Sequence, residues 1–114
     1  MAPARGEVYL AQLDPIRGSE QGGERPVVVM SRDAINRNSP VVIVVPLTDR
    51  ANKKKTYPSH VVLNAGDGGL RIDSIALGEQ IRAIAVSRLS KRLGQLSPTS
   101  IDAIGAALRI ALDL

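Results

Sequence analysis

The chain has 114 residues, of which 44% are hydrophobic and only 2% aromatic, and its formal net charge is +4 at pH 7. The absence of cysteine excludes disulfides and thiolate metal sites, and the single histidine excludes a two-histidine acid–base pair within one chain. The length fits one domain over residues 1–114. The first residues, Met1–Arg5, lack a long apolar run, and no segment approaches the roughly 20 apolar residues of a membrane span, so the expected location is cytoplasmic. The positive charge suits a polyanionic partner, though ordinary solubility explains it equally well.

Glu7 to Leu13 reads as a strand, with Val8, Leu10 and Gln12 on one side, ended by Asp14-Pro15. Ile16 to Glu24 is a long, polar, glycine-rich loop of the kind that carries function. Pro26 to Ser31 follows as a strand that is apolar on both faces, with Arg25 held at its rim. Asp33 to Pro40 is turn-rich, with one helical turn near Ala34. Val41 to Leu47 is a third, wholly apolar strand; Thr48, Asp49 and Arg50 place a hydroxyl and two charges at its end. Arg50 to Pro58 is a second long loop, carrying Lys53, Lys54 and Lys55.

His60 to Leu63 is a short strand and Asn64 to Gly69 a turn. Ile72 to Leu77 and Gln80 to Leu89 supply further strand, with Gly78 marking a bulge between them. Gly94 to Leu96 leads into a helix capped by Ser97 with Pro98 at its first position, and Ile101, Ile104, Leu108 and Leu112 share one face. Short strands, turn signals and one closing helix favour a small barrel or sandwich.

A guanidinium beside a glycine-rich loop is a fork of donors suited to a phosphate. The plainer alternative for Arg25 is an ion pair with Glu24 or Asp49. Thr48 can donate a hydrogen bond, yet nothing near it in sequence would activate it as a nucleophile. His60 reads as structural, and Asp67, Asp73 and Glu79 lack metal-loop spacing.

The residues Arg5-Gly6-Glu7-Val8-Tyr9, Asp14-Pro15, Gly18-Ser19-Glu20-Gln21, Arg25-Pro26, Pro46-Leu47-Thr48 and Glu79-Gln80-Ile81-Arg82 stand in this order from about Arg5 to about Leu96. Together they resemble the MazF/PemK/Kid family, toxins of toxin–antitoxin pairs that cut RNA. The resemblance implies a mainly β, SH3-like barrel with a C-terminal helix. It implies a metal-independent, sequence-selective endoribonuclease acting on single-stranded RNA by 2′-OH attack, with no cofactor and no metal.

The resemblance implies that Arg25 and Thr48 take the catalytic positions. The expected RNA-binding set is Arg17, Ser19, Glu20, Gln21, Ser31, Asp49, Arg50, Lys53, Gln80 and Arg82, with Glu20 either a base or only an RNA contact. The implied partners are RNA, an antitoxin with an acidic C-terminal segment, and a second copy in a homodimer. Two rivals share the fold: a gyrase-poisoning toxin, and a non-catalytic SH3-like RNA-binding module. The Arg25-Pro26 and Pro46-Leu47-Thr48 pair favours the nuclease. The chain departs from the family in having few aromatics to stack bases, with the Arg17 or Arg50 plane as substitutes, and in carrying Ala83 where relatives often have a hydroxyl.

Overall fold

The computed structural model describes residues 2–13 and 23–114. Seven strands and two helices follow one another: β1 (Glu7–Gln12), β2 (Glu24–Val29), α1 (Asp33–Asn38), β3 (Val41–Asp49), β4 (His60–Leu63), β5 (Ser74–Leu77), β6 (Arg82–Ala85), β7 (Leu89–Gln95) and α2 (Pro98–Leu112). All strand pairs are antiparallel, in the order β4-β5-β3-β2-β1-β7, with β6 on the first half of β3. Among the described residues β4 and β7 do not pair, so the sheet curls without closing. The mainly β, SH3-like expectation agrees with this arrangement.

The unbroken apolar runs arise because β2 and β3 are buried on both faces. Val28, Val45 and Leu47 join Val8, Leu63, Leu96 and Ile104 in one cluster, while Val27, Val29, Val42 and Val44 join Ala11, Leu13 and Ile84 in another. β1 changes cluster partway, since its register with β7 shifts between Val8 and Tyr9 and between Leu10 and Ala11. The expected alternation of Val8, Leu10 and Gln12 is therefore corrected: Val8, Ala11 and Leu13 are the buried set, and Gln12 is exposed.

Gly78 opens a 3₁₀ turn, Gly78–Gln80, rather than a bulge. The expected strand from Gln80 to Leu89 is broken: β6 ends at Ala85, Val86–Arg88 form a 3₁₀ turn, and β7 is a separate strand that begins at Leu89.

The helix start is as read from sequence. Ser97 is the N-cap, accepting from the Ser100 N–H at 3.3 Å, with Pro98 in the first turn. Asp67 reaches over from a distant turn: it accepts from the Ser97 N–H at 2.8 Å, the Ser97 hydroxyl at 3.3 Å and the Ser100 hydroxyl at 2.5 Å. Burial alone would raise the pKa of this carboxyl, but the hydrogen bonds from Ser100 and Ser97 outweigh it and hold the group below the usual aspartate range. Ile104 and Ala107 are the buried residues of α2, with Ile101 and Leu108 packed at the edge; Leu112 is half exposed, at 50%.

His60 is structural, as expected. Its Nε2 faces Glu79 Oε2 at 3.0 Å and its Nδ1 accepts from the Tyr57 N–H at 3.3 Å. The Ser59 hydroxyl donates to the other Glu79 oxygen at 3.0 Å. This cluster ties the start of β4 to the Gly78–Gln80 turn.

Candidate active site

β2 and β3 part partway along their length. They pair only from Val27 with Pro46 to Val29 with Val44. Past Pro46, β3 turns to β5, setting Leu47 opposite Ala76, Thr48 opposite Ile75 and Asp49 opposite Ser74. Glu24, Arg25 and Pro26 stay with β1. Prolines flank the split on both strands, where a missing N–H interrupts no continuous ladder.

The result is a groove of about 570 Å³. Arg25 and Pro26 line it on one side, and Leu47, Thr48 and Asp49 on the other. Leu10 from β1 with Lys91 and Leu93 from β7 also line it, as do Leu70, Arg71 and Ile72 from the segment before β5.

The two expected catalytic side chains thus share one cavity. Arg25 is exposed, whereas Thr48 is 4% exposed. The Thr48 Oγ1 accepts a long hydrogen bond from Asn52 Nδ2 at 3.4 Å, which leaves its own O–H to donate elsewhere. Asn52 sits in a 3₁₀ turn, Arg50–Asn52, capped by Asp49, whose Oδ1 accepts from the Ala51 N–H at 2.9 Å. An arginine fork and a hydroxyl donor facing one groove can hold the non-bridging oxygens of a phosphate.

The remaining expected contacts divide. Asp49 lines the groove, and Arg50 lines an adjoining recess that shares Asp49 and Ile72 with it. Lys53 lies just past the Arg50–Asn52 turn and lines neither. Gln80 and Arg82 also stand apart, because β6 pairs with Val41–Val44 and the groove begins beyond Pro46.

Ser31 is a correction. It is 4% exposed, its hydroxyl donates to Asn36 Oδ1 and accepts from the Ile43 N–H at 3.1 Å, so it serves the packing of α1 on the sheet and offers nothing to a ligand. Arg17, Ser19, Glu20 and Gln21 lie outside the described residues.

Lys91, Arg71 and Asn52 were absent from the sequence-based set. The cue was available only weakly, as basic residues near a glycine-rich turn and on a short polar strand. Among the described residues no group of His, Asp and Glu side chains converges as a metal-ligand set, and no helix is long and apolar enough to cross a membrane.

Residues 4–112 match the family described as PemK-like, MazF-like toxin of type II toxin–antitoxin system. The chain is similar to an endoribonuclease MazF of Staphylococcus saprophyticus, with 46% identity over 110 residues that cover 96% of this chain and 91% of that protein. Among solved structures it resembles a mycobacterial endoribonuclease in complex with its cognate antitoxin, with a TM-score of 0.81, 29% identity and coverage of 99% of this chain and 97% of that one. It also resembles MazF from Deinococcus radiodurans, with a TM-score of 0.83, 26% identity and coverage of 100% and 99%.

Proposed function

The chain belongs to the PemK-like, MazF-like toxin family, and on that premise we propose that it is the toxin of a toxin–antitoxin pair, a cytoplasmic, metal-independent and sequence-selective endoribonuclease that cuts single-stranded RNA. The observation that carries the reading is the meeting of Arg25 and Thr48 in the groove opened by the parting of β2 and β3.

The 2′-OH next to the scissile phosphate attacks phosphorus, the bond to the 5′ oxygen breaks, and the products end in a 2′,3′-cyclic phosphate and a 5′-OH. Negative charge grows on the non-bridging oxygens in the transition state. The Arg25 fork stabilises that charge, and the Thr48 hydroxyl donates to one of the oxygens while Asn52 holds it in place. A guanidinium keeps its protons, so its role is charge stabilisation and hydrogen-bond donation, and the leaving 5′ oxygen takes its proton from solvent water. Glu20 is the candidate to accept the 2′-OH proton or to hold the ribose.

The staphylococcal relative is named an endoribonuclease, and the mycobacterial neighbour was solved with its antitoxin. We extend both properties to this chain: its substrate is RNA, and its inhibitor is an antitoxin with an acidic C-terminal segment that occupies the basic groove. The active species is a homodimer of single-domain protomers.

The test is digestion of a long unstructured RNA in excess chelator, with mapping of fragment ends. Cleavage with cyclic phosphate and 5′-OH ends is expected. Strict dependence on added magnesium, or 5′-phosphate ends, would contradict it.

A further inference from the structure

Beyond Arg25 and Thr48, the groove carries two more cations, Arg71 and Lys91. We propose that Arg71 and Lys91 form a second phosphate site, which holds the phosphate neighbouring the scissile one. This rests on the ribonuclease reading and names two substrate-positioning residues within it.

The geometry comes from the sheet. Pro26, Leu10 and Lys91 form one cross-strand row over β2, β1 and β7. Neighbouring strands lie about 4.8 Å apart, so Lys91 starts roughly 10 Å from the strand that carries Arg25. That spacing suits a different phosphate from the one Arg25 holds. Leu10 and Leu93 line the groove as well and offer an apolar surface to the nucleoside between the two phosphates.

Arg71 is brought there by a backbone contact. Gly69 has φ +74, and a Cβ on it would lie 2.1 Å from the carbonyl oxygen of Leu93. The Asp67–Gly69 turn therefore packs backbone to backbone on β7, and the chain leaving it delivers Leu70, Arg71 and Ile72 to the groove.

Both cations are exposed, and among the described residues neither makes an ion pair. Arg92, the next residue of β7, is committed instead to Glu7. Among the described residues, the charged side chains that line the groove are three cations and one anion, Asp49, which is engaged in capping Ala51. An unneutralised basic pair facing a cavity is arranged for an anion, and in a ribonuclease groove that anion is a backbone phosphate.

The experiment measures binding of a mixed-sequence, fully 2′-O-methylated oligoribonucleotide, in which the attacking hydroxyl is blocked, by fluorescence anisotropy across a salt series. Each lost contact to single-stranded nucleic acid should reduce the slope of log affinity against log salt by about 0.7. The Arg71→Gln/Lys91→Gln variant should therefore lose about 1.4 from the slope, so that between 50 and 200 mM salt its affinity falls about sevenfold less than the wild type's. Arg71→Gln alone, which leaves the sheet untouched, should give half that change, and Arg37→Gln on α1 none.

On cleavable RNA the double variant should raise KM and leave kcat within about twofold. An unchanged salt slope, or a fall in kcat at constant KM, overturns the second phosphate site. If Arg25→Ala abolishes cleavage while the slope stays unchanged, only this inference fails. If Arg25→Ala cleaves normally, the ribonuclease reading of the groove fails first.

Discussion

Gly69→Ala tests the contact that shapes one side of the groove. A Cβ at that position would sit 2.1 Å from the Leu93 carbonyl oxygen, against backbone on both sides. Relief needs a movement of about 1 Å, because heavy-atom contacts to Cβ do not persist much below 3 Å. Left-handed φ adds roughly 1–2 kcal/mol for alanine, and forced overpacking adds roughly 1–3 kcal/mol, so the total is about 2–5 kcal/mol.

Gly66→Ala is the matched control. Its φ is +97, but nothing lies within 4 Å of the added carbon, so only the backbone strain remains. Urea and thermal unfolding of the two variants isolate the contact. Gly69→Ala should be at least about 1 kcal/mol less stable than Gly66→Ala, a Tm gap of at least about 4 °C for a domain near this size. The displaced Arg71 should also raise KM for RNA, an effect absent from Gly66→Ala. Equal stability of the two variants would refute the close packing of the turn on β7.

Thr48→Ala should lower kcat by about tenfold to a hundredfold, and Thr48→Ser should restore most of it, since a single hydroxyl donor is at stake; single-turnover cleavage reads both. Asp67→Asn should cost about 1–2 kcal/mol near neutral pH by weakening the hydrogen bonds at the start of α2. Because the folded-state pKa of Asp67 is depressed, its contribution is full above the ordinary aspartate value of about 3.9 and is lost as pH falls through the lower folded value. The stability gap between wild type and Asp67→Asn in urea titrations should therefore close as pH drops below about 4, and a gap that widened there would contradict the assignment.

The strands buried on both faces were legible because runs such as Val41–Val45 have no polar side to misplace. The start of α2 was legible for a local reason, with Ser97 and Pro98 adjacent at its first turn. β7 was not. Leu89 and Leu93 are its only large apolar residues, interleaved with Ser90, Lys91 and Arg92, and it forms because β1 supplies a partner.

The same divide runs through the site. Arg25 and Thr48 were legible through the resemblance that Arg25-Pro26 and Pro46-Leu47-Thr48 carry, and both line the one groove. Arg71 reaches the groove through the contact of Gly69 with Leu93, and Lys91 through the pairing of β7 with β1; no local pattern announces either. The burial of Ser31 was not legible, because its partner Asn36 comes from α1, five residues on, and closes over it only in the fold.

The central claim is that the cleft between the parted ends of β2 and β3 holds the scissile phosphate through Arg25. Its most direct test is the cleavage rate of Arg25→Ala on saturating RNA, beside its circular dichroism spectrum and Tm. Arg25 is exposed at the groove, so the fold and Tm should be kept. Cleavage should fall at least about a hundredfold, the loss expected when one preorganised charge contact of roughly 3 kcal/mol is removed from a transition state. A folded Arg25→Ala protein that cuts RNA at near the wild-type rate would contradict the claim.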